Sequence, residues 1–196
     1  MSCKKVFINC PYDKEYKNFF ECIVFLCCYF GFEPCFASEY TDTTSRLDKI
    51  VQMIKDSKYG IHDISRTTLS KEKLPRFNMP FELGMDYIYK KYIKAKRKIL
   101  VIGGKERDYE KCLSDLKSTD IEAHNFKMKT LIKIIRNFLI TISKQSKTSS
   151  AGEIEKIFKL EFKYWIEDNT KEKIRNIDMS EFKRETMRYF NLKQKV

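Results

Sequence analysis

Apolar residues along the chain fall into runs whose spacing switches between that of a strand and that of a helix. Lys5-Val-Phe-Ile-Asn-Cys10 is a short apolar run stopped by Pro11, the pattern of a buried strand that ends in a loop. From Tyr16 to Tyr29, the residues Phe19, Phe20, Ile23, Val24, Leu26 and Cys27 form a wide helical stripe, and Gly31 follows where a helix end favours glycine. Phe32 to Ala37 reads as a second strand. Thr41-Asp-Thr-Thr-Ser45 then supplies turn and capping residues before Leu47, Ile50, Val51 and Ile54 resume helical spacing. Tyr59-Gly-Ile-His-Asp-Ile64 predicts a third strand, and Ser65 to Met79, which has neither period, predicts a loop long enough to wall a cleft. Pro80 suits the first turn of a further helix, with Phe81, Leu83, Met85, Tyr87, Ile88 and Tyr92 as its apolar positions and Glu82 in that first turn.

Lys98-Ile-Leu-Val-Ile-Gly103 is a continuous aliphatic run of the kind buried on both faces in a parallel sheet. Asp108 to Leu116 predicts a short helix, Ile121 to Phe126 a weak last strand, and Met128 to Ile142 an amphipathic helix. Residues 144–152 are small and polar, as linkers are, and amphipathic helices are predicted again over Glu153 to Tyr164 and Ser180 to Phe190. The fold class is therefore α/β: an open, doubly wound sheet of five parallel strands in residues 1–143, a linker at 144–152, and a helical extension at 153–196. In such sheets right-handed crossovers put helices on both faces, and ligands bind beyond the carboxyl ends of the strands, where the winding reverses.

Composition narrows the classes. A hydrophobic fraction of 42% in 196 residues is enough to fill a core, and no apolar run reaches the length of a membrane span. The start, MSCKKVFINC, has no signal-peptide stretch, which places the expected compartment in the cytoplasm. Net charge is +12, carried mostly by lysines spread along the chain, and no nucleic-acid motif accompanies them; a solvated basic surface is the reading adopted, not a nucleic-acid partner. Seven cysteines without a CxxC pair, several inside apolar runs, read as reduced core thiols, and no metal site is expected. Clustered aromatics at Phe158, Phe162, Tyr164 and Trp165 suit a cover for the domain's own core or a partner-protein surface on the C-terminal helices.

Polar groups collect at the predicted strand ends. Asn9, Tyr12 and Asp13 follow the first strand, Ser38 and Glu39 the second, and Asp63, Ser65 and Arg66 the third; Asn78 and Glu82 open the next helix on the same edge. His62 alternates to the face opposite Asp63 and reads as a packed core histidine. A carboxylate at position 82 has two readings. One is a favourable charge near a helix N-terminus. The other is a group that holds a ribose, stabilises a ribosyl cation or attacks an anomeric carbon. Arg46 or Arg66 can neutralise a diphosphate in the second case.

Phe7-Ile-Asn-Cys-Pro-Tyr-Asp13, Tyr59-Gly-Ile-His-Asp-Ile-Ser65 and Asn78-Met-Pro-Phe-Glu-Leu-Gly84, in this order, resemble the TIR-like and nucleoside 2-deoxyribosyltransferase-like group of flavodoxin-type domains. The likeness runs over about residues 4–142 and leaves the tail uncovered. It implies strand order 2-1-3-4-5 and places Glu82 where the group's catalytic glutamate acts on an N-glycosidic bond. Asn9 and Asp63 fall at the sugar- and base-binding edges, and Asp13 at a secondary polar position. The activity implied is cleavage of the nicotinamide bond of NAD, as hydrolase or as synthase of a cyclic ADP-ribose-type signal, in bacterial antiviral defence, with NAD as substrate, no separate cofactor, and a homo-oligomeric enzyme. A non-catalytic nucleotide-sensing or assembly module, and a nucleoside 2-deoxyribosyltransferase, remain as alternatives. Asn78-Met-Pro80 stands where the deoxyribosyltransferases carry a turn of small residues.

Overall fold

A computed structural model of the chain describes residues 4–37, 45–67, 75–117, 119–145 and 148–193. Strands β1 (Lys4–Asn9), β2 (Phe32–Cys35), β3 (Tyr59–Asp63), β4 (Lys98–Gly103) and β5 (Glu122–Ala123) form one sheet in the order β2-β1-β3-β4-β5. Every neighbouring pair is parallel. The winding reverses between β1 and β3, where Asn9 stands opposite His62. Helices α1 (Lys17–Tyr29), α2 (Arg46–Asp56), α3 (Asn78–Tyr92) and α4 (Met128–Ser143) follow β1, β2, β3 and β5. The fold is thus the doubly wound five-stranded α/β sheet that the apolar pattern predicts.

Local chemistry accounts for the element ends. Ser45 caps α2 by accepting the Asp48 backbone N–H at 3.1 Å. Gly31, at φ 75°, takes the left-handed turn after α1 and returns its N–H to Cys28 O at 3.0 Å. The turn expected at 41–44 lies outside the described residues. The predicted helix at 108–116 is instead a pair of 3₁₀ turns, Asp108–Lys111 and Ser114–Leu116. The predicted strand at 121–126 pairs only over Glu122–Ala123, because Asn125 and Phe126 both adopt left-handed backbone, at φ 52° and 53°, and turn the chain away from the sheet edge.

The extension begins at Ala151, where Ser150 and Glu153 form a reciprocal capping box. It continues as α5 (Ala151–Lys156), a π-helical turn (Ile157–Phe162), α6 (Lys163–Thr170), a 3₁₀ turn (Ile174–Asn176) and α7 (Met179–Lys193). Its Ile154, Phe158, Phe162, Ile166, Ile177, Phe182 and Tyr189 belong to the same apolar cluster as β1, α1 and α4. This explains the unusual width of the α1 stripe: everything from Phe20 to Cys28 is buried, one side against the sheet and the other against the extension. Phe25 is the hub, with the rings of Phe158, Phe162 and Phe190 centred 5.1, 4.9 and 5.2 Å away. Lys17 Nζ adds a polar tie, donating to the carbonyls of Arg175 and Ile177 at 2.8 Å each. No helix among the described residues is long and apolar enough to cross a membrane.

Candidate functional site

The site is built where β1 and β3 end and α3 begins. The inward stripe of α3 consists of Met79, Glu82, Leu83 and Asp86, so one helix face carries two carboxylates a turn apart into the sheet's edge. Glu82 lies two residues further into the helix than the sequence predicts, beyond its first turn, because α3 starts at Asn78; Pro80 still falls where its missing N–H has no helical acceptor. Its position near the end of the helix dipole therefore accounts for less of its role than its burial does.

The two carboxylates have opposite environments. Asp86 receives Arg97 through two guanidinium contacts, one of them Nη2 to Oδ2 at 2.8 Å, and His62 Nε2 at 2.8 Å. Arg97 is itself fully buried and also donates to the carbonyls of Ile54, Ser57 and Tyr59. Burial alone would raise the Asp86 carboxyl, but the hydrogen bonds and charge of His62 and Arg97 outweigh it and hold it below its usual range. The Asn9 amide donates to Met79 O at 2.8 Å and to His62 Nδ1 at 2.9 Å, which leaves Nε2–H of His62 to donate to Asp86. Gly60 passes so close that a Cβ there would stand 2.5 Å from Asp86 Oδ2 and 3.0 Å from His62 Nε2. This relay is structural: a buried ion pair with every partner in place.

Glu82 has none of this. It is 7% exposed, and its carboxyl makes no hydrogen bond to a described residue. Burial pushes its pKa up from 4.5 to about 7, and the charge of the exposed Arg46 pulls it back only in part. Tyr12 and Cys10 stand in the same field. Burial chiefly, and then the Asp63 and Glu82 carboxylates, raise the Cys10 thiol well above its ordinary value, so it stays a thiol and is no nucleophile. The Tyr12 phenol is raised by burial first and then by Cys10 and Glu82; it donates to Ile8 O at 3.0 Å.

The other residues singled out by the sequence fall into two groups. Asn9 and Asp63 lie inside the fold. Asp63 is fully buried; its oxygens accept from the Tyr16 hydroxyl, from His124 Nε2 at 3.0 Å and from the Ser65 backbone N–H at 2.8 Å. His124 is oriented by the Phe126 N–H on its Nδ1 at 3.1 Å. The Tyr16 phenol, raised by burial and then by Asp63, remains a donor. Asp13 and Arg66 pair with each other, Nη2 to Oδ1 at 3.0 Å and Nε to Oδ2 at 3.2 Å; Arg66 also meets Glu15 and Arg76 meets Asp13. Of the two arginines considered for a diphosphate, Arg46 is the one close enough to act on Glu82, while Arg66 is committed to carboxylates. Asn78 is exposed at the start of α3, and Ser65 is buried with a hydroxyl that finds no partner among the described residues. Ser38 and Glu39 lie outside the described residues.

The sequence reading missed Asp86, Arg97, His124 and Tyr16 as the groups that hold this edge together. Asp86 was discoverable, since it falls four residues after Glu82 on the same helix face. Among the described residues, no group of three or more His, Cys, Asp or Glu side chains is placed to hold a metal ion. A separate apolar groove of about 830 Å³ runs between α2 and α3 past Val51, Ile54, Phe81, Met85 and Ile88; Glu82 does not line it. No protein-family model matches the chain, and comparison with curated proteins finds no match.

Proposed function

We propose that the chain is a TIR-like enzyme that cleaves the nicotinamide N-glycosidic bond of NAD, with Glu82 as the catalytic carboxylate. The observation that carries the reading is Glu82 itself: a carboxyl 7% exposed, without a hydrogen-bond partner among the described residues, on the ligand edge of a doubly wound sheet. Burial disfavours the ionised form of Glu82 and no described side chain pairs with it, whereas the neighbouring Asp86 is held by Arg97 and His62.

One carboxylate suffices for this reaction. Nicotinamide departs from a cationic nitrogen as a neutral base, so no general acid has to protonate it, and the positive charge passes to the ribosyl carbon. An ionised Glu82 faces that charge in a setting where few other dipoles screen it, and water or an adenine nitrogen then completes hydrolysis or cyclisation. Arg46, beside Glu82, is suited to the diphosphate and favours the ionised carboxylate. Asn9 and Asp63 act as positioning residues: they fix the edge through Met79, His62, Tyr16 and His124.

Nicotinamide release from NAD by wild type and by Glu82→Gln tests the reading. A loss of roughly 100-fold or more in the variant is expected, the scale of removing one transition-state electrostatic group. Equal rates would overturn it. The apolar groove between α2 and α3 favours a second reading, an assembly module without chemistry, which predicts NAD retention with no nicotinamide released by either protein.

A further inference from the structure

A second hollow opens beside the first edge, beyond the carboxyl ends of β3 and β4. It measures about 190 Å³ and is lined by Ser65, Thr67, Gly104, Lys105, Asp108 and Phe126, with Tyr109 at its wall. We infer that this hollow is a ribose subsite, in which Asp108 accepts the hydrogen bonds of a vicinal diol. The inference rests on the reading of this sheet edge as a nucleotide site, but names residues that the Glu82 chemistry does not use.

Size is the first argument. Ligand clefts for drug-sized molecules run to roughly 300–1,000 Å³, so a space of 190 Å³ takes a single ring and not a whole dinucleotide. The lining chemistry is the second. Asp108 is the one carboxylate in the wall among the described residues, and its ion pair is weak: Lys111 Nζ stands 4.0 Å away, three residues on along the same short turn. An open carboxylate repels a phosphate but accepts two adjacent hydroxyls, which is how acidic residues in doubly wound folds hold the 2′-hydroxyl of a ribose. Lys105 supplies a donor on the same wall.

Ser65 is the third and most specific argument. It is 7% exposed, and its hydroxyl has no hydrogen-bond partner among the described residues, whereas Thr67, also in the wall, satisfies itself on Ile64 O at 3.0 Å. A rotation of the Ser65 side chain carries this covered, unpartnered hydroxyl to a polar guest in the hollow. Phe126 and Tyr109 offer ring surface for the C–H side of a sugar. The backbone is shaped for the space as well. A Cβ on Gly104 would stand 2.6 Å from Phe126 Cζ and 3.1 Å from Ser65 Cβ, so glycine is what lets the wall close to this size.

AMP and 2′-deoxy-AMP, titrated by calorimetry onto the full chain, test the inference in wild type, Asp108→Asn, Ser65→Ala and Glu82→Gln. The expected result is that wild type binds AMP about tenfold or more tighter than 2′-deoxy-AMP, that this preference persists in Glu82→Gln, and that Asp108→Asn removes it. Ser65→Ala weakens AMP to a lesser degree. Displacement of AMP by NAD from the Glu82→Gln variant identifies the ribose as the substrate's own; simultaneous binding identifies a separate nucleotide, and the subsite stands in both cases. Equal affinity for AMP and 2′-deoxy-AMP, or a preference untouched by Asp108→Asn, overturns the inference. Failure of the glycosidase reading is seen elsewhere, in the absence of nicotinamide release, so the two fail separately.

Discussion

Replacing Glu82 by Gln keeps the shape of the side chain and removes its ionisation, and the effect on stability follows from the environment. In the unfolded chain the carboxyl ionises at its ordinary value of 4.5; in the fold, burial moves that to about 7. Between these values the native state binds the proton that the unfolded state has lost, so the contribution of Glu82 to stability falls as pH rises from 4.5 to 7 and is level above it. The stability is fully present below the unfolded pKa and gone once pH exceeds the folded one. At 1.36 kcal/mol per pH unit the whole loss is roughly 3 kcal/mol, most of it between pH 5 and 8. Glu82→Gln has no such proton to lose. Urea unfolding of both proteins at pH 5 and pH 8 should therefore show the variant gaining about 2–3 kcal/mol on wild type across that interval. A gain under roughly 0.5 kcal/mol would mean that the carboxyl is solvated and titrates normally, and the case for a poised catalytic group would fall with it. The same proton governs turnover: if the ionised form acts, nicotinamide release rises with pH through about 7.

Arg46→Ala should move the midpoint of that pH profile upward, because the Arg46 charge favours ionised Glu82; a midpoint that stays or falls would disconnect the two residues. Arg97→Met leaves the buried Asp86 carboxylate without its guanidinium partner, held by His62 alone, and strips the carbonyls of Ile54, Ser57 and Tyr59 of a donor, so a loss of about 3–5 kcal/mol in urea unfolding is expected, and a change under 1 kcal/mol would refute the assignment. Phe162→Ala empties a position packed on Phe25, Phe182 and Tyr189 and should cost about 3–5 kcal/mol of global stability, read as a single unfolding transition; a separate early transition of the tail alone would argue against one shared core.

Much of the sheet was legible because its code is local. Aliphatic runs such as Lys98 to Gly103 declare a strand buried on both faces, and the alternation at His62-Asp63 sends one side chain to the Asp86 relay and the other to Tyr16 and His124. The width of the α1 stripe was visible too, although its cause, a second layer from far along the chain, was not. What the pattern could not give depends on meetings between distant segments. Arg97 precedes a strand with nothing to mark it as a buried ion-pair partner, and His124 sits in a weak final strand; only the closed fold brings them to Asp86 and Asp63. Arg66 illustrates the reverse. From sequence it was free to clamp a diphosphate, and in the fold the turn after β1 supplies Asp13 and Glu15 to neutralise it. The displacement of Glu82 by two residues has a similar origin, since Pro80 marks a helix start only to within the positions whose N–H groups are unused.

The double-sided burial of α1 makes this helix a joint ledger of contacts for two distant stretches of chain. Phe25 cannot change size without a matching change at Phe158, Phe162 or Phe190, and those cannot drift without consulting the sheet through α1. Swapping in the tail of another protein would leave a greasy, ill-fitting seam along thirteen residues of helix. The two stretches are therefore bound to vary as one inheritance, and hybrid chains joined near residue 145 are where that dependence would first be felt.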